Sequence, residues 1–307
     1  MAKSDIVKTI AKNNKLKLID IRLSQTDSVD LNGFPKLDGE KATYVPMDIF
    51  PIESTEIPQG FNGWLIFFDE INSAPLSIQS AAYKIILDKQ VGQHNLHKNV
   101  AMVAAGNLST DKAVVNRMST ALQSRLIHYE LHIQPKHWIE WADANDIDYR
   151  IKSYLNFKPD MLHNFDPNHN DYTYSCPRTW EFSSKLIKGK DLTEDTLIML
   201  AGTLGEGVAR EFYSYTKIYK SLPKLANILN DPTGTNVPIE PANQYALSGL
   251  LGHVMDKVNV GQLIQYIVRL PIEFQIITVQ AAIARDKVLI NNPVINDWKV
   301  NNVAHFL

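Results

Sequence analysis

The stretch Gly63-Trp64-Leu65-Ile66-Phe67-Phe68-Asp69-Glu70 limits what this chain can fold into more than any other. An apolar run from Trp64 to Phe68 stops at two adjacent acids. A short continuous apolar run of this kind reads as a strand buried on both faces, which is the condition of a parallel sheet covered by helices. In open α/β sheets, ligands gather at the carboxyl ends of such strands. Two carboxylates at that edge suit a metal ion and an activated water. A strand that simply ends in a solvated acidic turn has the same local pattern, so the run alone leaves both readings open.

The bulk properties exclude several classes. The chain has 307 residues, enough for two or three domains. Its 31 basic and 33 acidic residues leave a formal net charge of -2, so no basic field speaks for nucleic acid. Cys176 is the single cysteine, which rules out an intrachain disulfide and fits a reducing compartment. The first residues, Met1-Ala2-Lys3-Ser4-Asp5, lack the apolar core of a signal peptide. No apolar stretch is long enough to span a bilayer. A cytoplasmic protein without a membrane partner is expected.

Periodicity predicts the element order. Residues 5–12 place Ile6, Val7 and Ile10 on one helical face. Residues 17–23 alternate as a strand, and residues 32–62 read as a long loop with short elements. After the acid pair, Asn72 and Ser73 are cap candidates and Pro75 a first-turn proline. A helix striped by Ile78, Ala82, Ile85 and Ile86 follows, with Gly92 fitting its end. Residues 100–105 predict a second buried strand, 114–123 a helix, and 126–133 a third strand. Strands alternating with helices argue for a parallel α/β sheet. Beyond Pro135 the pattern is helical, with one or two helices over 192–222 and a polar, Pro/Gly-bearing linker over 230–242.

Four features then fall in a telling order: Lys3-Ser4 opening a helix, Asp69-Glu70, Asn107 at the end of the next strand, and Arg125 before Leu126. A lysine and a hydroxyl at a helix start are the residues with which a P-loop reaches phosphates and Mg²⁺. With these residues the chain resembles an AAA+ ATPase of the MoxR-like branch, which includes bacteriophage-encoded members. The resemblance rests on residues 4–12, 18–35, 65–88, 103–126 and 176–187, and covers most of residues 1–190. It implies a P-loop NTPase α/β core over 1–134, a helical lid region over 135–229, the linker 230–242, and a helical C-terminal region over 243–307.

By the same resemblance, Asp69 and Glu70 are the Walker B acids, with Asp69 and Ser4 at Mg²⁺, Lys3 at the phosphates and Glu70 acting on the attacking water. Asn107 is sensor 1. Arg125 is an arginine finger reaching a neighbour's nucleotide, Arg117 a second inter-subunit candidate, and Arg178 sensor 2 in the lid. The implied activity is ATP hydrolysis driving chaperone-like remodelling of a protein. The implied assembly is a homo-oligomeric ring, a hexamer, working with a von Willebrand factor A-type partner.

The sequence departs from the family at the P-loop. Of GxxxxGK[ST] only Lys3-Ser4 is present, Ala2 stands where glycine is usual, and the preceding strand is missing. The parallel core is therefore expected to lack its first strand. The favoured expectation makes Met1 internal to a longer protein. The alternative is a shortened chain acting as a non-hydrolysing oligomer subunit or binding module.

Taken singly, each site residue has a plainer reading. Lys3-Ser4 is polar chain, Asn107 a turn residue, Arg125 a surface arginine and Arg178 a first-turn residue beside Pro177. Their joint order carries the functional reading. The pairs His94/His97, His128/His132 and His163/His169 do not amount to metal ligation. Gly202, Gly205 and Gly207 suit close helix packing, and Trp138 and Trp141 suit lid-helix anchors.

Overall fold

The computed structural model describes residues 3–107, 116, 118, 120–166, 168 and 171–302. The chain forms two compact units, Ala2–Leu131 and His132–Leu307. No helix among the described residues is long and apolar enough to cross a membrane.

The first unit is α/β. Its elements are α1 (Lys3–Asn13), β1 (Leu16–Arg22), α2 (Ser28–Asn32), β2 (Phe34–Asp38), β3 (Lys41–Val45), β4 (Gly63–Asp69), α3 (Leu76–Asp88), β5 (Gln90–Val91), β6 (His94–Asn95), β7 (Val100–Ala104) and α4 (Thr120–Gln123). A three-stranded parallel sheet runs β1-β4-β7, with the acid-bearing strand in the middle. Because side chains alternate along a strand, β4 serves two cores at once. Trp64, Ile66 and Phe68 face the cluster built with Ile78, Ala82 and Ile85 of α3. Leu65 and Phe67 face Val7 and Ala11 of α1. Full burial of Leu65, Ile66, Phe67 and Phe68 contributes roughly 1.5–3 kcal/mol each. Gly63 is required at the strand's start, where a Cβ would lie 2.2 Å from the backbone oxygen of Asn99. Trp64 N donates to that same oxygen at 3.1 Å.

Several local expectations change. The covered face of α1 is Val7 and Ala11, while Ile6 and Ile10 are each 45% exposed. A 3.6-residue period fits either choice; packing on Leu65 and Phe67 selects one. The helix α3 ends at Asp88 through left-handed Lys89 (φ 53), and Gly92 instead turns the β5–β6 hairpin. The expected strand over 126–133 is not formed: the segment pairs with no described strand, and Ile127 and Tyr129 are more than four-fifths exposed. Alternation marks which side chains share a face, but a strand needs a neighbour's ladder to satisfy its backbone. The outer edge of β7 likewise has no paired strand among the described residues, and burial along β7 is only partial. Of the helix expected over 114–123, residues 120–123 are helical as α4, while Asn116 and Met118 are not in a helix.

The second unit is helical: α5 (Pro135–Ala144), α6 (Tyr149–Phe157), α7 (Pro177–Ile187), α8 (Glu194–Leu204), α9 (Glu206–Thr216), α10 (Leu225–Asn230), α11 (Pro241–Val254), α12 (Val260–Ile267), α13 (Ile272–Arg285) and α14 (Pro293–Asn301). One core runs through it, from Trp138 and Tyr154 to Leu247, Tyr266 and Trp298. The segment 230–242 is therefore an internal loop and not a linker between separate cores. Tyr266 Oη donates to Asn236 O at 2.7 Å, and Arg269 donates to Pro232 O and Thr235 O, both at 2.8 Å. The 192–222 stretch is two helices, broken at Gly205 (φ 83). A Cβ at Gly202 or Gly207 would meet nothing within 4 Å, so close helix packing does not explain those glycines. Trp138 is buried as an anchor, whereas Trp141 is 41% exposed.

Candidate functional site

Three chain segments meet at the carboxyl edge of the parallel sheet. The first turn of α1 brings Lys3 and Ser4, the end of β4 brings Asp69 and Glu70, and the residues after β7 bring Gly106 and Asn107. Parallel pairing sets this up, because β1, β4 and β7 all end on the same side.

The contacts are specific. Ser4 Oγ donates to Asp69 Oδ2 at 3.0 Å, across 65 residues of sequence. The Lys3 ammonium donates to Asn107 Oδ1 at 3.0 Å and to the backbone oxygen of Gly106. Asp69 Oδ1 accepts from Glu70 N at 2.9 Å, which fixes the aspartate rotamer. Glu70 sits at φ 58, a left-handed conformation that costs roughly 1–2 kcal/mol in a residue with a Cβ. That turn takes Glu70 out of the strand's alternation, and its Oε2 accepts from Ser24 Oγ in the turn after β1. Lys3, Ser4, Asp69, Glu70 and Asn107 are all half-buried. Charges here are neither stripped of water nor fully screened.

Chemically, the set offers an ammonium at a helix start, a hydroxyl beside a carboxylate, a second carboxylate on a strained turn, and a carboxamide. Ser4 and Asp69 supply hard oxygen donors at one point, which fits a divalent cation that keeps part of its water shell. The lysine at the amino end of an 11-residue helix fits phosphate oxygens.

The sequence reading missed Ser24 and Asn72. Asn72 does not cap α3; Pro75 occupies the cap position without a side-chain hydrogen bond. Its Nδ2 instead donates to Asn107 O at 2.6 Å, and its Oδ1 accepts from Asn107 N at 3.0 Å. The available signal was position. Both residues are polar and stand just beyond the carboxyl end of a strand that reaches the site.

Arg125 is exposed, in the turn after α4, and Arg117 lies outside the described residues. Arg178 is exposed in the first turn of α7, in the helical unit. A cavity of about 610 Å³ lies in the helical unit, between α5, α6, α11 and α13. One of its cations, Lys152, is committed to Asp143 at 2.6 Å. His253 in its wall stacks on Tyr149 at 4.7 Å, and burial together with Arg285 pushes its pKa below the usual histidine value.

Comparison with known protein families gives no match for this chain, and comparison with curated proteins gives none either.

Proposed function

We propose that this chain is the nucleotide-hydrolysing part of an AAA+ ATPase of MoxR-like type, acting on ATP. The observation that carries the reading is the convergence of Lys3 and Ser4 with Asp69 and Asn107, residues distant in sequence and each of the type the chemistry requires. The sheet, with the acid-bearing strand in the middle and α1 packed over it, supports a P-loop NTPase core.

The roles are those the resemblance implies, and the contacts among these residues support them. The Lys3 ammonium pairs with phosphate oxygens, and its present acceptors, Gly106 O and Asn107 Oδ1, put it within reach of the β7 end. Ser4 and Asp69 would hold Mg²⁺, which supplies charge neutralisation on the phosphates. Glu70 polarises the attacking water, with Ser24 restraining its carboxylate. The water oxygen bonds to the γ-phosphorus and the bond to the β,γ-bridging oxygen breaks. The proton goes to the Glu70 carboxylate, and ADP and phosphate leave. The Asn107 carboxamide orients that water.

In a homo-oligomeric ring, taken as a hexamer, Arg125 from a neighbouring copy would stabilise the transition-state charge. Arg117 is a further inter-subunit candidate, and Arg178 would contact nucleotide from the lid. Remodelling of a protein substrate in the cytoplasm, with a von Willebrand factor A-type partner, completes the reading.

The test is phosphate release by the full chain with ATP and Mg²⁺, alongside Lys3→Ala, Glu70→Gln and Arg125→Ala. The reading expects Glu70→Gln to keep nucleotide binding and lose at least about 10²-fold in turnover. Lys3→Ala should weaken binding. Arg125→Ala should spare binding and abolish turnover. Binding without turnover in the unaltered chain would favour the non-hydrolysing oligomer subunit instead.

A further inference from the structure

Asn72 spends both atoms of its side-chain amide on the backbone of one residue 35 positions away. Its Nδ2 donates to Asn107 O at 2.6 Å, and its Oδ1 accepts from Asn107 N at 3.0 Å. An asparagine in a turn ordinarily bonds its own backbone two residues on. The backbone oxygen of Asn72 is engaged as well, accepting from Asn116 N at 2.6 Å, while Asn116 Nδ2 donates to Ala74 O at 2.8 Å. One residue thus ties down the chain on both sides of residues 108–115. Neighbouring bonds continue the seam: Ile71 N donates to Ala105 O at 2.9 Å, and Ala105 N to Phe68 O at 2.8 Å.

The seam reaches the candidate chemistry through Asn107. With both its N–H and its C=O held by Asn72, Asn107 presents its Oδ1 to the Lys3 ammonium at 3.0 Å. Gly106 belongs to the same arrangement. A Cβ there would lie 2.6 Å from Asn72 Oδ1, so the tight approach of the two segments requires glycine for space and not for backbone freedom.

We infer that Asn72 is a positioning residue: its amide holds Asn107 in register with Lys3, and it sets turnover through Asn107 without touching nucleotide. The catalytic part of this inference rests on the hydrolase reading above; the structural part does not.

The experiment separates the two. In the full chain, backbone hydrogen exchange is measured at Asn107, with Ile66 of β4 as an internal control, for the unaltered protein, Asn72→Ala, Asn72→Asp and Gly106→Ala. Asn72→Ala should speed exchange at Asn107 about tenfold and leave Ile66 unchanged. Gly106→Ala, which displaces the Asn72 amide, should do the same. Asn72→Asp keeps the acceptor for Asn107 N–H but loses the donor to Asn107 O, and should fall between Asn72→Ala and the unaltered protein. Equal exchange at Asn107 in all four proteins overturns the inference. Steady-state ATP turnover is then compared for Asn72→Ala, Asn107→Ala and the double variant. A residue acting through Asn107 lowers kcat alongside Asn107→Ala, by about 10²-fold, and adds no further loss in the double variant. Losses that multiply overturn the claim that Asn72 works through Asn107. If the unaltered chain neither binds nor hydrolyses ATP, the hydrolase reading falls, and the Asn72–Asn107 link is decided by the exchange data alone.

Discussion

The two units use polar side chains in opposite ways. In the helical unit they close structure. Asp148, 5% exposed, caps α6 by accepting from Arg150 N and pairs with the Arg150 guanidinium at 2.8 Å. Arg150 in turn donates to Ile187 O at the end of α7 and to Lys190 O in the turn beyond it. In the α/β unit the polar groups that meet are half-buried, stand at strand ends, and come from distant parts of the chain. In the first arrangement the charged groups bond mostly to one another and to backbone carbonyls. The second keeps an ammonium, two carboxylates and a carboxamide together at one edge. Polar residues that hold a fold and polar residues fit for chemistry therefore differ less in type than in how completely their bonds are used inside the protein.

Substitutions can break this contrast. Trp180→Ala empties the fully buried centre of the aromatic cluster with Tyr154 and Phe212, and should cost roughly 3–5 kcal/mol in denaturant unfolding. Arg150→Ala leaves Asp148 buried without its partner and should cost about 3 kcal/mol. Asn107→Ala should cost at most about 1 kcal/mol, because among the described residues its side chain bonds the half-buried Lys3. If Asn107→Ala destabilises as much as Arg150→Ala, the strand-end cluster is structural and the contrast fails.

Acid gives a further test. The lowered pKa of His253 in the folded chain means that the unfolded chain takes up a proton first as pH falls below 6.5. Stability should then fall from about neutral pH down through the depressed folded value and level off below it. Asp148 and Asp146 oppose the shift, while Arg285 and Lys152 add to it. His253→Gln should flatten this part of the unfolding profile; an unchanged slope would mean that another group is responsible. The smallest effect is a gain: Lys89→Gly relieves the left-handed end of α3 and should stabilise by up to about 1 kcal/mol, read as a rise in Tm.

What could be read without coordinates was whatever depends on neighbours in sequence. The β4 run announced a strand buried on both faces, because a short, continuous run of aromatic and branched residues that stops at acids suits a strand better than a helix. Helical periods marked most of the helical unit. Five of the expected site residues were found at one edge because strand ends and helix starts can be recognised locally. Tertiary structure decided the rest. The 126–133 segment has a strand's alternation but joins no ladder among the described residues, and α1 turned Ile6 and Ile10 outward because the sheet selected Val7 and Ala11. Asn72 read as a helix cap until its partner proved to be Asn107. Sequence determines which residues share a face and which bonds each can make. Which partner it meets depends on where distant segments come to rest, and that is settled only when the sheet and its covering helices pack.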